Sequence, residues 1–336
     1  MAFYANLGYR FKAPNKTEVP LLLHGSIILS SAIHMDQLVR RRNLEKQYPH
    51  MRRRLFDPQL YLAELDANES SGHCAKLATY PWFGIKDLDR YQSSIQKQSD
   101  WKKEIEKDIV KLWPRTTPTD PEIIKNSVAE CIDIQCRLGC QAIILPSPLT
   151  QNVNSNYSRE LVWLDAAIDY VAKAKIRLPI YATIAISDNC LRSTEPFSNT
   201  LVDLILDTVS AREINGVYLV LEQDGAPNET RHCANVRVLR TILHMVHIFH
   251  HDCQIKVAVN FLGQFGLACL AAGADLWGSG WYKSVYRLRL RDKLGEGRAR
   301  PSYWSYAAAM DIHLKNDFDV LNKTGAINTI IDRAQL

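Results

Sequence analysis

The chain has 336 residues, 46% hydrophobic and 23% charged, which is the composition of a globular protein and excludes a disordered or fibrous one. Its net charge of +5 is only mildly basic, so the distribution of charge says more than the total. No apolar run reaches the roughly 20 residues of a membrane span, no secretory leader is visible at Met1, and the eight cysteines are scattered, so reduced thiols in a soluble cytoplasmic protein are expected.

In chain order, short Val/Ile/Leu-rich runs alternate with longer amphipathic stretches. Strands are expected over 21–29, 54–61, 142–146, 179–186, 216–222, 255–261 and 274–277. Helices are expected over 121–138, opened by Thr119 or Asp120 with Pro121 in the first turn and stopped at Gly139, then over 159–175, 198–212, 235–250 and 263–272. Regular alternation argues for parallel βαβ units, and with no dinucleotide-type glycine loop after the first strand the class is α/β, a TIM-like (β/α)8 barrel. The eighth strand is expected within 285–290, or the barrel is irregular there. The domain reading is one barrel over 1–336, with a long insertion after the second strand candidate, 63–119, and a basic, aromatic extension over 285–336. The insertion carries Tyr80-Pro81-Trp82-Phe83 and a charged helix near 100–112, which suggests a lid or a partner surface.

In such a barrel the chemistry sits where strands end, at the C-terminal mouth. This rule selects Ser30, Ser31 and His34, then Asp57, Gln59 and Tyr61, then Ser147, then Ser187, Asp188 and Asn189. Glu222, Gln223 and Asp224, then Asn260 and Gln264, and finally Ser279, Trp281 and Lys283 complete the ring. Amides, carboxylates and hydroxyls with interleaved aromatics suit the edge and face of a heterocyclic base. Asp57 stands immediately before Pro58, where the chain leaves helical geometry; it is either a base or ligand-binding carboxylate at the mouth, or a turn carboxylate bonding nearby amides. As a mouth residue it is expected to contribute little to fold stability.

Two other patterns concern polymers and metals. Arg40–Arg42 and Arg52–Arg54 form one basic cluster, and Arg287, Arg289, Arg291, Arg298 and Arg300 a second, set among Trp281, Tyr282, Tyr286, Tyr303 and Trp304. Arginines beside aromatics suit a phosphate backbone with unstacked bases; solvated charge or internal ion pairs are the plainer alternative. His244, His247 and His251 share a helix face opposite Val238, Ile242, Met245 and Phe249, which reads as a solvent-facing stripe. Cys131, Cys136 and Cys140 have no zinc-site spacing, so neither metal nor cofactor is expected.

The later strands resemble a known family. Val257-Ala258-Val259-Asn260-Phe261-Leu262-Gly263, a short helix and then Ala272-Gly273-Ala274-Asp275-Leu276-Trp277 are similar to the strand six to strand seven region of queuine and archaeosine tRNA-guanine transglycosylases. Phe56-Asp57-Pro58-Gln59-Leu60-Tyr61 stands where that family has Asp-Ser-Gly-Gly-Phe-Gln, and Gly278 stands at its nucleophilic aspartate. The zinc-binding Cys-x-Cys-x-x-Cys segment has no counterpart. The resemblance implies a divergent member of the kind found in DNA-modification or antiphage gene clusters, recognising guanine or 7-deazaguanine, free or attached to a nucleic acid or protein. On this reading Asp57 and Glu222 are the catalytic candidates. Gln59, Tyr61, Ser147, Asp188, Gln223, Asn260, Gln264 and Ser279 line the base pocket. The implied partners are a purine-like base, a nucleic acid and other proteins of a gene cluster, with no membrane. The alternative is an inactive barrel serving as a recognition or scaffold subunit in a defence complex.

Overall fold

A parallel sheet wraps into a TIM-like α/β barrel in the computed structural model, which describes residues 1–7, 23–35, 38, 53–85, 108–192, 195, 197–223, 235–280, 287–290, 302–305, 310–313 and 317–325. The strands are β1 (Ala2–Leu7), β2 (Leu23–Leu29), β3 (Arg54–Asp57), β4 (Ile143–Ile144), β5 (Leu149–Thr150), β6 (Ile180–Ser187), β7 (Gly216–Glu222), β8 (Lys256–Asn260) and β9 (Leu276–Ser279). They run in the order β3-β2-β1-β9-β8-β7-β6-β4, with β5 also on β6, and every pairing is parallel. β4 and β5 occupy one position, because Pro146 and Pro148 lack the N–H groups a continuous ladder requires.

The eighth barrel position corrects the expectation. It is the N-terminal β1, inserted between β2 and β9, whereas 287–288 contribute only isolated bridges to Leu262 and Glu222. Six residues at the start of a chain carry too short an alternation to stand out, and pairing on both sides stabilises them instead. Between β3 and β4 the ring nearly closes: the Gln141 amide donates to the Arg54 carbonyl at 3.1 Å. Gln135 patches the same seam, its side-chain amide accepting from Ile144 N and donating to Ile144 O, both at 2.8 Å.

Helices α1 (Ala67–Leu77), α2 (Pro121–Arg137), α3 (Ser158–Lys173), α4 (Asn189–Arg192), α5 (Thr200–Ser210), α6 (Val236–His247) and α7 (Phe265–Ala271) alternate with the strands. Asp120, Asn199 and Asn235 cap α2, α5 and α6, each side chain accepting two first-turn amides. The buried face of α6 is Val238, Ile242, Met245 and Val246, while His247 and His251 are exposed with their rings 4.6 Å apart. No described helix is long and apolar enough to cross a membrane.

The Tyr80-Pro81-Trp82-Phe83 segment is core rather than a partner surface. Tyr80, Trp82 and Phe83 are buried against Phe56 and Trp113; Tyr80 Oη donates to Ile33 O at 2.8 Å and Trp82 Nε1 to Pro58 O at 2.9 Å. Residues 86–107 of the insertion lie outside the described residues. The chain divides into two compact units, Met1–Leu294 and Gly295–Leu336. Within the second unit an antiparallel pair, β10 (Ser302–Ser305) and β11 (Met310–His313), precedes α8 (Asp317–Lys323).

Candidate functional site

Strand register sets the height of each polar side chain in the barrel. At the N-terminal end Tyr4 and Tyr181 lie against glycines on the neighbouring strands: a Cβ on Gly25 would meet the Tyr4 ring at 2.4 Å, and one on Gly216 the Tyr181 ring at 2.4 Å. Above this plug the interior turns polar. Ser30, Asp57, Gln59, Thr150, Ser187, Asp188, Glu222, Gln223 and Asn260 gather at the C-terminal ends of the strands, none more than 3% exposed.

Asp57 is the centre of one half. Its Oδ1 accepts the Gln59 amide at 3.0 Å, a local turn bond matched to the left-handed Gln59 backbone (φ 50°). Its Oδ2 accepts two phenols, Tyr61 at 2.6 Å and Tyr218 at 2.8 Å. Asn260 Nδ2 donates to the Tyr218 hydroxyl, and Asn260 Oδ1 accepts Asn6 Nδ2 at 2.7 Å and the Phe261 amide at 2.8 Å. The network thus joins β3, β7, β8 and β1 across the barrel. Burial pushes the Asp57 carboxyl up from 3.8 to about 6, against the opposing pull of the Tyr61 and Tyr218 hydroxyls and the Gln59 amide. Burial first, then the Asp57 charge, raises both tyrosines well above the ordinary phenol range, so they remain hydroxyl donors.

Asp57 is completely buried rather than set at an open mouth, which corrects the expectation that it lies outside the core. Its Oδ1 makes the bond expected of a turn carboxylate, and its Oδ2 holds the two phenols, a contact the sequence did not indicate.

The other half centres on Glu222. Ser187 Oγ donates to its Oε2 at 2.7 Å and the Leu290 amide to its Oε1 at 3.4 Å. Asp188 pairs with Arg192 at 2.6 Å, and Gln223 Nε2 donates to Phe261 O at 2.8 Å. Beside them Thr150 Oγ1 donates to Glu160 at 3.0 Å, while Arg159 bridges Glu160, Glu64 and the Leu149 carbonyl. Cys190 lies within reach of this charge: burial, then Asp188, Glu222 and Glu160, push its thiol up to about 12.

The remaining candidates separate from the ring in different ways. Ser147 is buried, with its hydroxyl on the Pro148 carbonyl at 3.3 Å. Gln264 is half-buried at the start of α7, Ser279 ends β9, His34 is half-buried and Asn189 is exposed. Asp224, Trp281, Lys283, Arg291, Arg298 and Arg300 lie outside the described residues.

Arg287 and Arg289 correct the reading of a free basic face. Arg287 is buried, and Arg289 Nε donates to Gln223 O at 2.9 Å; both pack on the barrel because 287–290 folds back over β7 and β8. Arg54 of the other basic cluster likewise donates to Leu138 O at 2.5 Å.

Tyr218, Asn6, Glu160 and Arg159 were not singled out by the strand-end rule. Tyr218 had a legible signal, since it lies four residues before Glu222 on one strand and therefore on the same face. Gly278 faces a filled space: a Cβ there would meet Ile27 Cδ1 at 2.6 Å and Asn260 Oδ1 at 2.7 Å. Among the described residues no three His, Cys, Asp or Glu side chains are grouped to hold a metal.

The fold and site together define a (β/α)8 barrel with a buried, carboxylate-bearing C-terminal mouth. Comparison of the chain with protein-family models, with curated proteins and with solved structures finds no match.

Proposed function

We propose that the barrel recognises a guanine-type or 7-deazaguanine base at its C-terminal mouth, free or carried by a nucleic acid or protein, and cleaves or transfers it. The observation that carries this reading is the convergence of carboxylates, amides and hydroxyls at the strand ends in a nearly water-free setting. Buried polar groups without a task cost stability that apolar residues would not, and a purine edge requires paired donors and acceptors of this kind. Asp57, pushed up to about 6, exchanges a proton near neutral pH, which suits it to a ring nitrogen.

Chemistry at position 278 is not part of the proposal, because Asn260 and Ile27 leave no room for a side chain there. Glu222, held by the Ser187 hydroxyl, is assigned the role of attacking carboxylate or of base to a water. The filled space at Gly278 also favours the second reading, a non-catalytic barrel that binds the base and presents it within a larger defence assembly. Contact with an attached polymer is assigned to Arg291, Arg298 and Arg300, since Arg287 and Arg289 are engaged by the barrel.

Calorimetric titration with guanine and 7-deazaguanine, with adenine as control, tests binding. Asp57→Asn is expected to weaken the preferred base by about 1–3 kcal/mol, because one acceptor becomes a donor. Glu222→Gln is expected to leave binding in place and abolish incorporation of labelled base into nucleic acid. Failure of folded protein to bind any purine-type base would sink the reading; binding without turnover under any condition would select the second.

A further inference from the structure

Helix α6 leads back from the mouth to the start of β8, so its C-terminal end lies at the end of the barrel opposite the polar ring. There the helix widens into a π turn, Ile248–Asp252, with the Cys253 amide on the Ile248 carbonyl at 2.9 Å. Turns of this kind occur as single insertions in α-helices, frequently at functional sites. Four imidazoles gather here, those of His244, His247, His250 and His251. His247 and His251, four residues apart and both exposed, have ring centroids 4.6 Å apart. His250 stands edge-on to His251, at 4.7 Å and 87°. Its Nδ1 lies 3.5 Å from Asp275 Oδ2, an oxygen that also accepts the Val257 amide at 2.9 Å. Gly273 leaves the space that both rings use: a Cβ there would meet His250 Cδ2 at 2.8 Å and His251 Nε2 at 3.1 Å. His251 therefore rests against a ring that the sheet holds in place, and has His247 beside it.

We propose that His247 and His251 anchor a divalent transition ion of the zinc or cobalt kind, with water in its remaining positions, and that His250 and Asp275 are positioning residues for His251. Two histidines four residues apart present their rings on one helix face, the spacing with which helices hold zinc. Neutral imidazole suits zinc, cobalt and nickel, whereas magnesium and calcium require oxygen ligands. The carbonyls at a helix C-terminus favour a cation near them. The Asp275–His250–His251 arrangement is that of an outer carboxylate and ring that orient a ligand. Two protein donors are consistent with the lack of any three-donor group among the described residues, and make the site an open, exchangeable one. The inference is independent of the reading of the mouth as a base site.

The full chain, stripped with chelator and kept reduced, is titrated with zinc by calorimetry, with magnesium as control. Binding of about one zinc per chain is expected, together with a rise in Tm, because the ion binds the folded arrangement only. His247→Ala and His251→Ala are each expected to abolish that binding, since a single imidazole remains. His250→Ala and Asp275→Asn are expected to weaken it about tenfold, as loss of an outer partner does, with the Tm of the metal-free protein unchanged by His250→Ala. Asp275→Asn keeps an acceptor for the Val257 amide. His244→Ala is expected to bind as wild type, because the His244 ring packs on Phe197 instead, at 5.0 Å. Cobalt reports the donor type, and a spectrum without a thiolate charge-transfer band is expected. The side chains exchanged are exposed or half-buried, and Tm without metal confirms that each variant is folded. Zinc retained when His247 and His251 are both alanine, a thiolate band with cobalt, or no zinc binding by the wild-type chain overturns the site. Equal losses from His244→Ala and His247→Ala also overturn it, since they would reduce it to a diffuse attraction of the whole stripe.

Discussion

The two ends of the barrel both use tyrosine, and use it in opposite ways. At the N-terminal end the rings of Tyr4 and Tyr181 take the space that glycines on adjacent strands leave, and the Tyr4 hydroxyl makes only a long bond, 3.3 Å, to Gln141. At the C-terminal end the hydroxyls matter: those of Tyr61 and Tyr218 converge on one carboxylate oxygen. The lower tyrosines are volume, and the upper ones hold a charge that the fold would otherwise disfavour. A barrel interior can thus be packed at one end and poised at the other with the same residue type.

The sharpest way to separate the ends is pH. Asp57 has a folded pKa of about 6, above its ordinary 3.8, so the protonated form is the one the fold favours. Its contribution to stability is therefore complete below about pH 4 and is lost as pH rises through about 6. The difference corresponds to about 3 kcal/mol. Chemical denaturation of wild type and Asp57→Asn from pH 4 to 8 is expected to show wild type losing that amount relative to the variant. Parallel profiles would mean that Asp57 titrates normally.

Next in size, Tyr218→Phe removes a donor to Asp57 and the acceptor of Asn260 Nδ2 together, leaving buried polar groups without that partner. A loss of about 2–3 kcal/mol is expected at pH 7, with the Asp57 titration, followed by carboxylate NMR, moved upward. At the other end Gly216→Ala forces a methyl against the Tyr181 ring and the Lys256 carbonyl, at 2.4 and 2.9 Å. It is expected to cost about 2 kcal/mol by overpacking, with no change in pH profile, in the same denaturation series. Tyr4→Phe is the smallest change, about 0.5 kcal/mol, because its hydroxyl bond is long and only partly buried. A loss as large as that of Tyr218→Phe would erase the distinction between packing and poise.

Local signals in the chain were reliable where local physics decides. Asp120, one of the two cap candidates read for its helix, starts it because a short side-chain acceptor satisfies first-turn amides wherever it occurs; Asn199 and Asn235 do the same although neither was singled out as a cap. Asp57-Pro58 stood out for the same reason: proline restricts the residue before it whatever surrounds the pair. The strand-end rule then placed Glu222, Gln223, Asp188 and Asn260 at one end of the barrel, where they are found. The rule gives height along a strand and says nothing of reach across the barrel, so Tyr218, two strand repeats lower, went unnoticed although its hydroxyl arrives at Asp57.

Sequence by itself determined the alternating βα order, the capped helices and the polar character of the mouth, because period, capping and proline geometry act over a few residues. Tertiary structure alone decided that Ala2–Leu7 is a strand, that Trp82 and Arg287 are buried, and that Asp57 meets Tyr218 across the barrel. Each of these depends on partners remote in the chain: 161 residues separate Asp57 from Tyr218, and β1 pairs with β9 at the far end of the same unit. Only closure of the barrel brings such groups together, and burial then changes the chemistry of what closure has enclosed.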